Sequence, residues 1–255
     1  MQSSTRIDPE TLPPRADLSP TNWQSDVGNR RHPKRSQPDY AYLSLLVSEI
    51  ERVLPTLAAP GELVLDISCG ARPYLDLLAP GTRSIGLDIT DRFGMADVVS
   101  DDYLPFTDAS FDAAMCTDAF AYFPDPPYIV SELKRVLRPG GRFLMTLDFM
   151  YEYDEHRYTG PELTRLFEGW QDVEVIQTGA RGVTWARLTN SLVDSALQGL
   201  VKAVPPLAPL ASLAVLFYLP VNFMGALIEA VESRFRVAGP TVPANLLLTA
   251  RRPRT

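Results

Sequence analysis

The chain has 255 residues, 45% hydrophobic and 22% charged, a composition typical of globular proteins rather than disordered or fibrous ones. Its 24 Lys and Arg against 31 Asp and Glu residues give a net charge of −7, which argues against a nucleic-acid partner because such partners favour a basic face. Two cysteines and two histidines without ligand-like spacing predict no metal site and two small buried thiols.

Residues 1–38 are polar and rich in proline without hydrophobic periodicity, which predicts a flexible N-terminal arm. The first twenty residues have no apolar stretch typical of a secretory signal, so a cytoplasmic location is expected. Residues 30–35, RRHPKR, form a local basic cluster whose plainest interpretation is a solvated tail. An apolar stripe then predicts a helix from residue 40 to residue 54, which Pro55 ends.

Strand and helix signals alternate from residue 62 to residue 178. Buried strands are predicted at ELVLDIS, RSIGLDI, ADVVS, SFDAAMC, RFLMTLDF and DVEVIQT. Helices are predicted at PYLDLLA, PPYIVSELKRVL and PELTRLF, the last after a capping box formed by Thr159 and Glu162. A seventh strand, ANLLLTARRP, closes the chain. The alternation indicates an α/β fold with a mostly parallel sheet and helices on both faces.

An apolar insert separates the sixth and seventh strands, and residues 203–228 within it carry no charge. This length could span a bilayer. Pro220, Asn222 and three earlier prolines argue against one continuous spanning helix. We therefore expect two short apolar helices within residues 190–235, forming a lid or a homodimer face. Association with one membrane surface and a true span are the alternatives.

Three carboxylates follow successive predicted strands. Asp66 ends the first strand, Asp88 ends the second, and Asp101 follows the third. The carboxyl ends of parallel strands border the ligand crevice of an open sheet. A carboxylate after the second strand can accept two hydrogen bonds from a ribose diol, and Asp88 lies 18 residues beyond Gly70, near the spacing of about 20 expected in such folds. The pattern favours an adenosine-type ligand.

The loop DISCGARPY after the first strand contains a single glycine, Gly70. A dinucleotide loop needs several glycines so that its backbone can approach a pyrophosphate. The side chains of Ser68 and Arg72 are expected to crowd that approach, and Asp66 would repel a phosphate. The loop therefore suits adenosine with a zwitterionic, cationic tail and without phosphates.

Four segments in order carry a family resemblance: LVLDISCGARPY, SIGLDIT, SDDYLPFTDASFDAAMCTDAF and ELKRVLRPGGRFLMTL. They resemble class I S-adenosylmethionine-dependent methyltransferases, in particular the small-molecule branch of methyltransferase type 11. The resemblance covers residues 62–178 and the final strand. It implies a Rossmann-like sheet of seven strands with an antiparallel last strand, S-adenosylmethionine as cofactor, and one methyltransferase domain over residues 39–255.

The resemblance also implies roles for single residues around the cofactor. Asp66, Ser68 and Gly70 would line its methionine end. Asp88 would hold the ribose hydroxyls with Ile89 against the adenine. Either Asp101 or Asp102 would meet the adenine amino group, and Thr117 would lie near the methyl donor.

Two side chains are candidates for catalysis. His156 could act as a base, because an imidazole exchanges protons near neutral pH, or it could be a surface-loop histidine. Tyr122 could hydrogen-bond the acceptor or only pack. No Asn-Pro-Pro-Tyr-like signature follows the fourth strand, which favours an oxygen or carbon acceptor over an amide or base nitrogen.

The apolar insert predicts a small acceptor of apolar or lipid-like character, with peripheral membrane contact and a homodimer both left open. A nicotinamide-dependent oxidoreductase is disfavoured by the missing G-x-G-x-x-G spacing. A non-catalytic, membrane-attached binding protein that retains the fold is the other alternative.

Overall fold

The computed structural model describes residues 6–12, 30–101, 104–148, 156–235 and 243–254. The chain divides into two compact units. The first comprises Met1–Trp23, Ile50–Ile176 and Leu246–Thr255, and the second comprises Gln24–Glu49 and Gln177–Asn245.

The sheet has seven strands in the order β3-β2-β1-β4-β5-β7-β6. Their bounds are β1 Leu63–Ile67, β2 Arg83–Asp88, β3 Val98–Val99, β4 Phe111–Thr117, β5 Leu137–Asp148, β6 Gln171–Thr178 and β7 Asn245–Arg251. Strands β1 to β5 pair in parallel, and β7 is antiparallel. The predicted sheet, including its antiparallel last strand, is confirmed.

Strand β1 lies between β2 and β4, so the chain leaves β1 in one direction and returns on its other side. This reversal makes the carboxyl ends of β1 and β4 the topological switch point, where open α/β sheets bind ligands. All five residues of β1 are buried, because helices cover a parallel sheet on both faces.

Five α-helices lie wholly within the described residues: α1 Tyr40–Val53, α2 Pro126–Val136, α3 Gly160–Leu166, α4 Arg181–Ala203 and α5 Val215–Phe235. Asp125 caps the N-terminus of α2, and its carboxylate accepts a hydrogen bond from the amide of Tyr128. Helix α3 has the predicted capping box of Thr159 and Glu162. The segment predicted as a helix after β1 forms only a 3-10 turn, Leu75–Leu77.

The apolar insert between β6 and β7 is confirmed, but the prediction of two short apolar helices is wrong. A 3-10 segment, Pro205–Ala214, leads into the continuous helix α5, which passes through both Pro220 and Asn222. Pro220 removes one backbone hydrogen bond and lies on the exposed side of the helix. The helix continues because its opposite side packs on α4, and this packing outweighs one lost bond.

Two parts of the predicted N-terminal arm are described, and both have hydrogen-bond partners. Ile7 bridges to Phe106, and its amide donates to the carbonyl of Pro105 at 2.8 Å. In residues 30–38, the carbonyls of Arg35, Gln37 and Pro38 accept hydrogen bonds from buried asparagines of the second unit.

Candidate functional site

The loop after β1 is shaped by three left-handed residues. Ser68, Gly70 and Arg72 have φ values of 52°, 50° and 53°. The amide of Cys69 donates to the carbonyl of Leu87 at 3.0 Å, and the amide of Gly70 donates to Asp88 Oδ2 at 2.8 Å. The loop is therefore fixed to the end of β2 by a main-chain bond and a carboxylate.

Arg72 does not crowd this loop, because its side chain turns inward and is fully buried. Its Nε donates to Asp66 Oδ2 at 3.1 Å, Nη1 donates to Asp97 Oδ2 at 3.0 Å, and Nη2 donates to the hydroxyl of Ser84. Gly86 lies opposite Asp66 in the sheet, and a Cβ at Gly86 would come within 3.2 Å of the guanidinium. We call Arg72, Asp66, Asp97 and Ser84 the Arg72 network.

Asp66 belongs to this network and is 2% exposed. Burial raises the pKa of Asp66 to about 6, although the positive charge of Arg72 acts in the opposite direction. Asp88 and Asp97 add smaller repulsions that also raise the pKa. The first of the three strand-end carboxylates is thus held inside the sheet by Arg72, a partner that sequence reasoning missed. A carboxylate within a buried, otherwise apolar strand requires a cationic or hydrogen-bonding partner. The position of Asp66 in such a strand is therefore the sequence signal that could have predicted the Arg72 side chain as its partner.

A cavity of about 550 Å³ opens at the carboxyl ends of β1 and β2, within the first unit. Its lining consists of Ile67, Ser68, Leu87, Asp88, Ile89, Ser100, Asp101, Ala119, Tyr122, Phe123 and Pro124. The cavity lies at the switch point of the sheet, where the topology predicts ligand binding.

The structure brings five of the predicted site residues to this cavity: Ser68, Asp88, Ile89, Asp101 and Tyr122. Their side chains come from the loop after β1, the end of β2, the segment after β3 and the turn after β4. Parallel strands place these segments at one edge of the sheet although up to 54 residues separate them in the chain.

The other predicted site residues lie elsewhere. Gly70 adjoins the cavity through its bond to Asp88, and the space beside its α-carbon is open. Asp66 is enclosed in the Arg72 network, and Thr117 is half-buried at the end of β4, opposite Thr146 of β5. Asp102 lies outside the described residues.

His156 contacts the turn that forms one wall of the cavity. Its amide donates to the carbonyl of Ala121 at 3.1 Å, and its Nε2 lies 3.4 Å from the carbonyl oxygen of Pro124. A protonated Nε2 would donate to that oxygen, which leaves Nδ1 as the acceptor in the neutral ring. His156 is thus bound to the turn that carries Tyr122 and Pro124 but is not among the residues that line the cavity.

The charge of the cavity decides which ligands fit it. Asp88 and Asp101 are the charged side chains among the lining residues described, and these residues include no lysine or arginine. A phosphate would meet two carboxylates without a compensating cation, so a pyrophosphate is disfavoured. Hydroxyl and amino groups of a ligand can donate hydrogen bonds to these two carboxylates and therefore fit the cavity.

Comparisons with known proteins agree with this geometry. Residues 65–145 match a family model described as a methyltransferase domain. The chain is 29% identical over 131 residues to methyltransferase GfsG of Streptomyces halstedii, covering 41% of this chain and 46% of that protein. It is 28% identical over 181 residues to 24-methylenesterol C-methyltransferase 2 of Oryza sativa subsp. japonica, covering 62% of this chain and 48% of that protein.

A solved structure shares the fold. A SAM-dependent methyltransferase from Archaeoglobus fulgidus superposes with a TM-score of 0.51 at 14% identity, covering 90% of this chain and all of that chain. The chain spans about half the length of the first curated relatives that it matches. The matched region contains the second half of β1, all of β2 to β4 and most of β5, and therefore every residue that lines the cavity.

Proposed function

We propose that this chain, whose residues 65–145 match a methyltransferase domain, transfers the methyl group of S-adenosylmethionine to an oxygen or carbon atom of a small, apolar acceptor. The observation that carries the proposal is the cavity at the carboxyl ends of β1 and β2, where two carboxylates and an apolar wall meet.

Asp88 is oriented to receive a ribose diol. Its Oδ2 accepts a hydrogen bond from the amide of Gly70 at 2.8 Å, and its Oδ1 accepts one from the amide of Thr90 at 3.3 Å. Each oxygen keeps a second lone pair, so the carboxylate can accept two hydroxyls without losing its backbone bonds. Such a preoriented acceptor loses little conformational entropy when a ligand binds.

Ile89 and Asp101 complete the fit to a nucleoside. The side chain of Ile89 is 71% exposed beside Asp88 and would be covered by a flat base. Burying an aliphatic side chain of this size contributes about 1.5–3 kcal/mol. Asp101, on the same cavity, can accept a hydrogen bond from an exocyclic amino group.

The remaining wall would position the acceptor. S-adenosylmethionine supplies a methyl group on a sulfonium, and its transfer by direct displacement requires alignment and the exclusion of water. Phe123 and Pro124 exclude water from one side of the cavity, and the phenol of Tyr122 can hydrogen-bond an acceptor hydroxyl. His156, bound to the same turn, would take the proton of that hydroxyl after a shift of its ring toward the cavity.

Two observations support an apolar acceptor. Six of the eleven lining residues are aliphatic, proline or phenylalanine, so a polar acceptor would lose hydration without replacement partners. The rice relative is named a methylenesterol C-methyltransferase, which supports an apolar acceptor and a carbon atom as one target.

Calorimetry with the demethylated cofactor, S-adenosylhomocysteine, tests the cofactor site. The substitution Asp88→Asn removes a charged acceptor, and losing one hydrogen bond to a charged group costs about 1.5–3 kcal/mol, or roughly tenfold or more in affinity. Asp172→Asn is the matched control, because Asp172 is exposed, lies outside the cavity and has a φ of 51° that asparagine tolerates. Equal affinities of the two variants would remove the ribose assignment.

Transfer of labelled methyl groups tests the acceptor class. Sterols, isoprenoid quinols and polyketide lactones serve as apolar acceptors, with catechols and amino acids as polar comparisons. We expect label in the apolar products. Transfer confined to polar amines would contradict the acceptor proposal while leaving the cofactor site intact.

A further inference from the structure

Helix α5 of the second unit buries polar side chains and exposes apolar ones. Tyr218 and Asn222 lie on its buried stripe, at 5% and 3% exposure. Every exposed residue of the helix from position 216 to position 231 is apolar. The large side chains of this exposed half include Leu216, Leu219, Phe223, Met224, Leu227 and Val231. A helix in water shows the opposite arrangement, with its polar side outward.

The inner polar groups are held in place by hydrogen bonds. The side-chain nitrogen of Asn222 donates to the carbonyls of Arg35 at 3.0 Å and Gln37 at 2.8 Å. Its oxygen accepts a hydrogen bond from Asn190 of α4 at 2.9 Å. Rotation of the helix would break these three bonds in a buried place, so the apolar half stays outward.

The backbones of α4 and α5 also touch. A Cβ at Gly182 would lie 2.4 Å from the carbonyl oxygen of Gly225, and one at Gly225 would lie 2.6 Å from the Cβ of Ala186. This close approach fixes α5 against α4 along its inner stripe. The exposed half is therefore a permanent surface of the second unit.

An exposed surface of this composition indicates lipid rather than protein as its partner. Protein interfaces are on the whole only about 55–65% apolar and carry a polar rim. None of the ten exposed residues between positions 216 and 231 of α5 has a polar side chain. Isolated apolar residues on a surface are ordinary, but a contiguous apolar face of this extent marks an interaction site.

The bonds of Asn222 argue against α5 crossing a bilayer. The segment Ser212–Phe235 has 24 residues and a mean hydropathy of 1.7, enough by length and composition to cross a membrane. Asn222, in the middle of that segment, holds the backbone of Arg35 and Gln37. A spanning helix would draw this cationic segment into the hydrocarbon core, where charged side chains are strongly disfavoured.

The charge of the second unit complements an anionic surface. Its described residues include eight Lys or Arg and five Asp or Glu, whereas the whole chain has a net charge of −7. His32, Lys34 and Arg35 are exposed on the segment that binds α5. Juxtamembrane lysines and arginines are attracted to anionic leaflets.

We propose that the exposed half of α5 inserts into the headgroup and acyl boundary of an anionic lipid bilayer, with the cationic segment 30–35 at the headgroups. The inference does not depend on the acceptor or on methyl transfer. It would place the domain at the surface from which an apolar acceptor could be drawn.

Vesicle flotation of the full chain tests the proposal. Phosphatidylcholine vesicles are compared with vesicles that also contain phosphatidylglycerol. We expect the chain to float with the anionic vesicles, and more weakly with the neutral ones. Phe223→Glu, at a side chain 70% exposed, should lower the bound fraction about tenfold or more because it buries a charge in place of a phenyl ring.

Tyr128→Glu is the control, since Tyr128 is 46% exposed in the first turn of α2 in the first unit, where a carboxylate is tolerated. Affinity for S-adenosylhomocysteine should be unchanged in both variants, which separates this proposal from the cofactor site. No flotation of the parent chain, or equal flotation of Phe223→Glu, would overturn it. A parent dimer that Phe223→Glu dissociates, without flotation, would assign the surface to a second copy of the chain instead.

Discussion

The Arg72 network offers a sharp test of how the loop after β1 is held. The Arg72 side chain has no exposed area and donates to Asp66, Asp97 and Ser84. Arg72→Leu would fill part of the space but leave two carboxylates without their cation. Breaking a buried ion pair by removing one partner costs about 3–5 kcal/mol, and we expect a loss of unfolding free energy of that size near neutral pH.

The loss of unfolding free energy caused by Arg72→Leu should increase with pH. In the parent protein the pKa of Asp66 is raised from 3.8 to about 6, so the folded state binds its proton more tightly than the unfolded state. This group therefore destabilises the fold by about 3 kcal/mol as the pH rises from roughly 4 to above 6, at 1.36 kcal/mol per pKa unit. Without Arg72 the pKa of Asp66 rises further, so the stability of the folded state continues to fall at higher pH. The cost of Arg72→Leu should be larger at pH 8 than at pH 5.

Urea denaturation followed by circular dichroism at these two pH values measures the effect. Arg83→Leu is the matched control, because Arg83 and its partner Glu10 are 43% and 50% exposed and such surface pairs contribute about 0–1 kcal/mol. Adding Asp66→Asn to Arg72→Leu should recover stability at pH 8 by removing one unpaired charge. A cost below about 1 kcal/mol, or an equal cost at both pH values, would refute the reasoning.

Two further predictions concern the candidate base and the helix contact. His156→Gln should lower kcat for a hydroxyl acceptor about a hundredfold or more while cofactor affinity stays unchanged. His32→Gln, at the only other histidine of the chain, should leave kcat unchanged. Equal kcat values for the two variants would exclude His156 as the base. Gly182→Ala should destabilise the second unit by about 1–3 kcal/mol because its Cβ would overlap the carbonyl of Gly225, while Gly199→Ala, with open space around it on the same helix, should stabilise by about 0.5–1 kcal/mol. Thermal unfolding of the two glycine variants distinguishes them, and shifts of the same sign would contradict the close helix contact.

Much of the fold follows from local patterns in the chain. The strand runs, the helix ended near Pro55 and the capping box of Thr159 and Glu162 were all predicted, because hydrophobic periodicity and end signals act over a few residues. The edge of the sheet that gathers Asp88 and Asp101 was predicted as well, since parallel strands bring their carboxyl ends to one side. The cofactor roles of these residues stay predictions until binding is measured.

The sequence did not predict the continuous helix α5. The backbone hydrogen bond that a proline removes is a local loss, whereas the contacts that offset it come from distant parts of the chain. Pro220 predicts an interruption on any scale of helix propensity. The packing on α4 and the bonds from Asn222 to Arg35 and Gln37 involve residues more than thirty positions away. Contacts of that kind cannot be inferred from the spacing of apolar residues.

The sequence by itself determined the positions of the strands and of most helices, and the apolar, uncharged character of the insert, because each depends on residues that are near neighbours in the chain. It also indicated the sheet edge that holds the cavity, because parallel strands bring their carboxyl ends together. The tertiary structure alone decided that Arg72 turns inward to Asp66 and Asp97, leaving the loop open, and that α5 hides its polar side chains and exposes its apolar ones. The direction of a side chain depends on which partners can satisfy its charge or hydrogen bonds once it is buried. Those partners are brought together only by the folded chain.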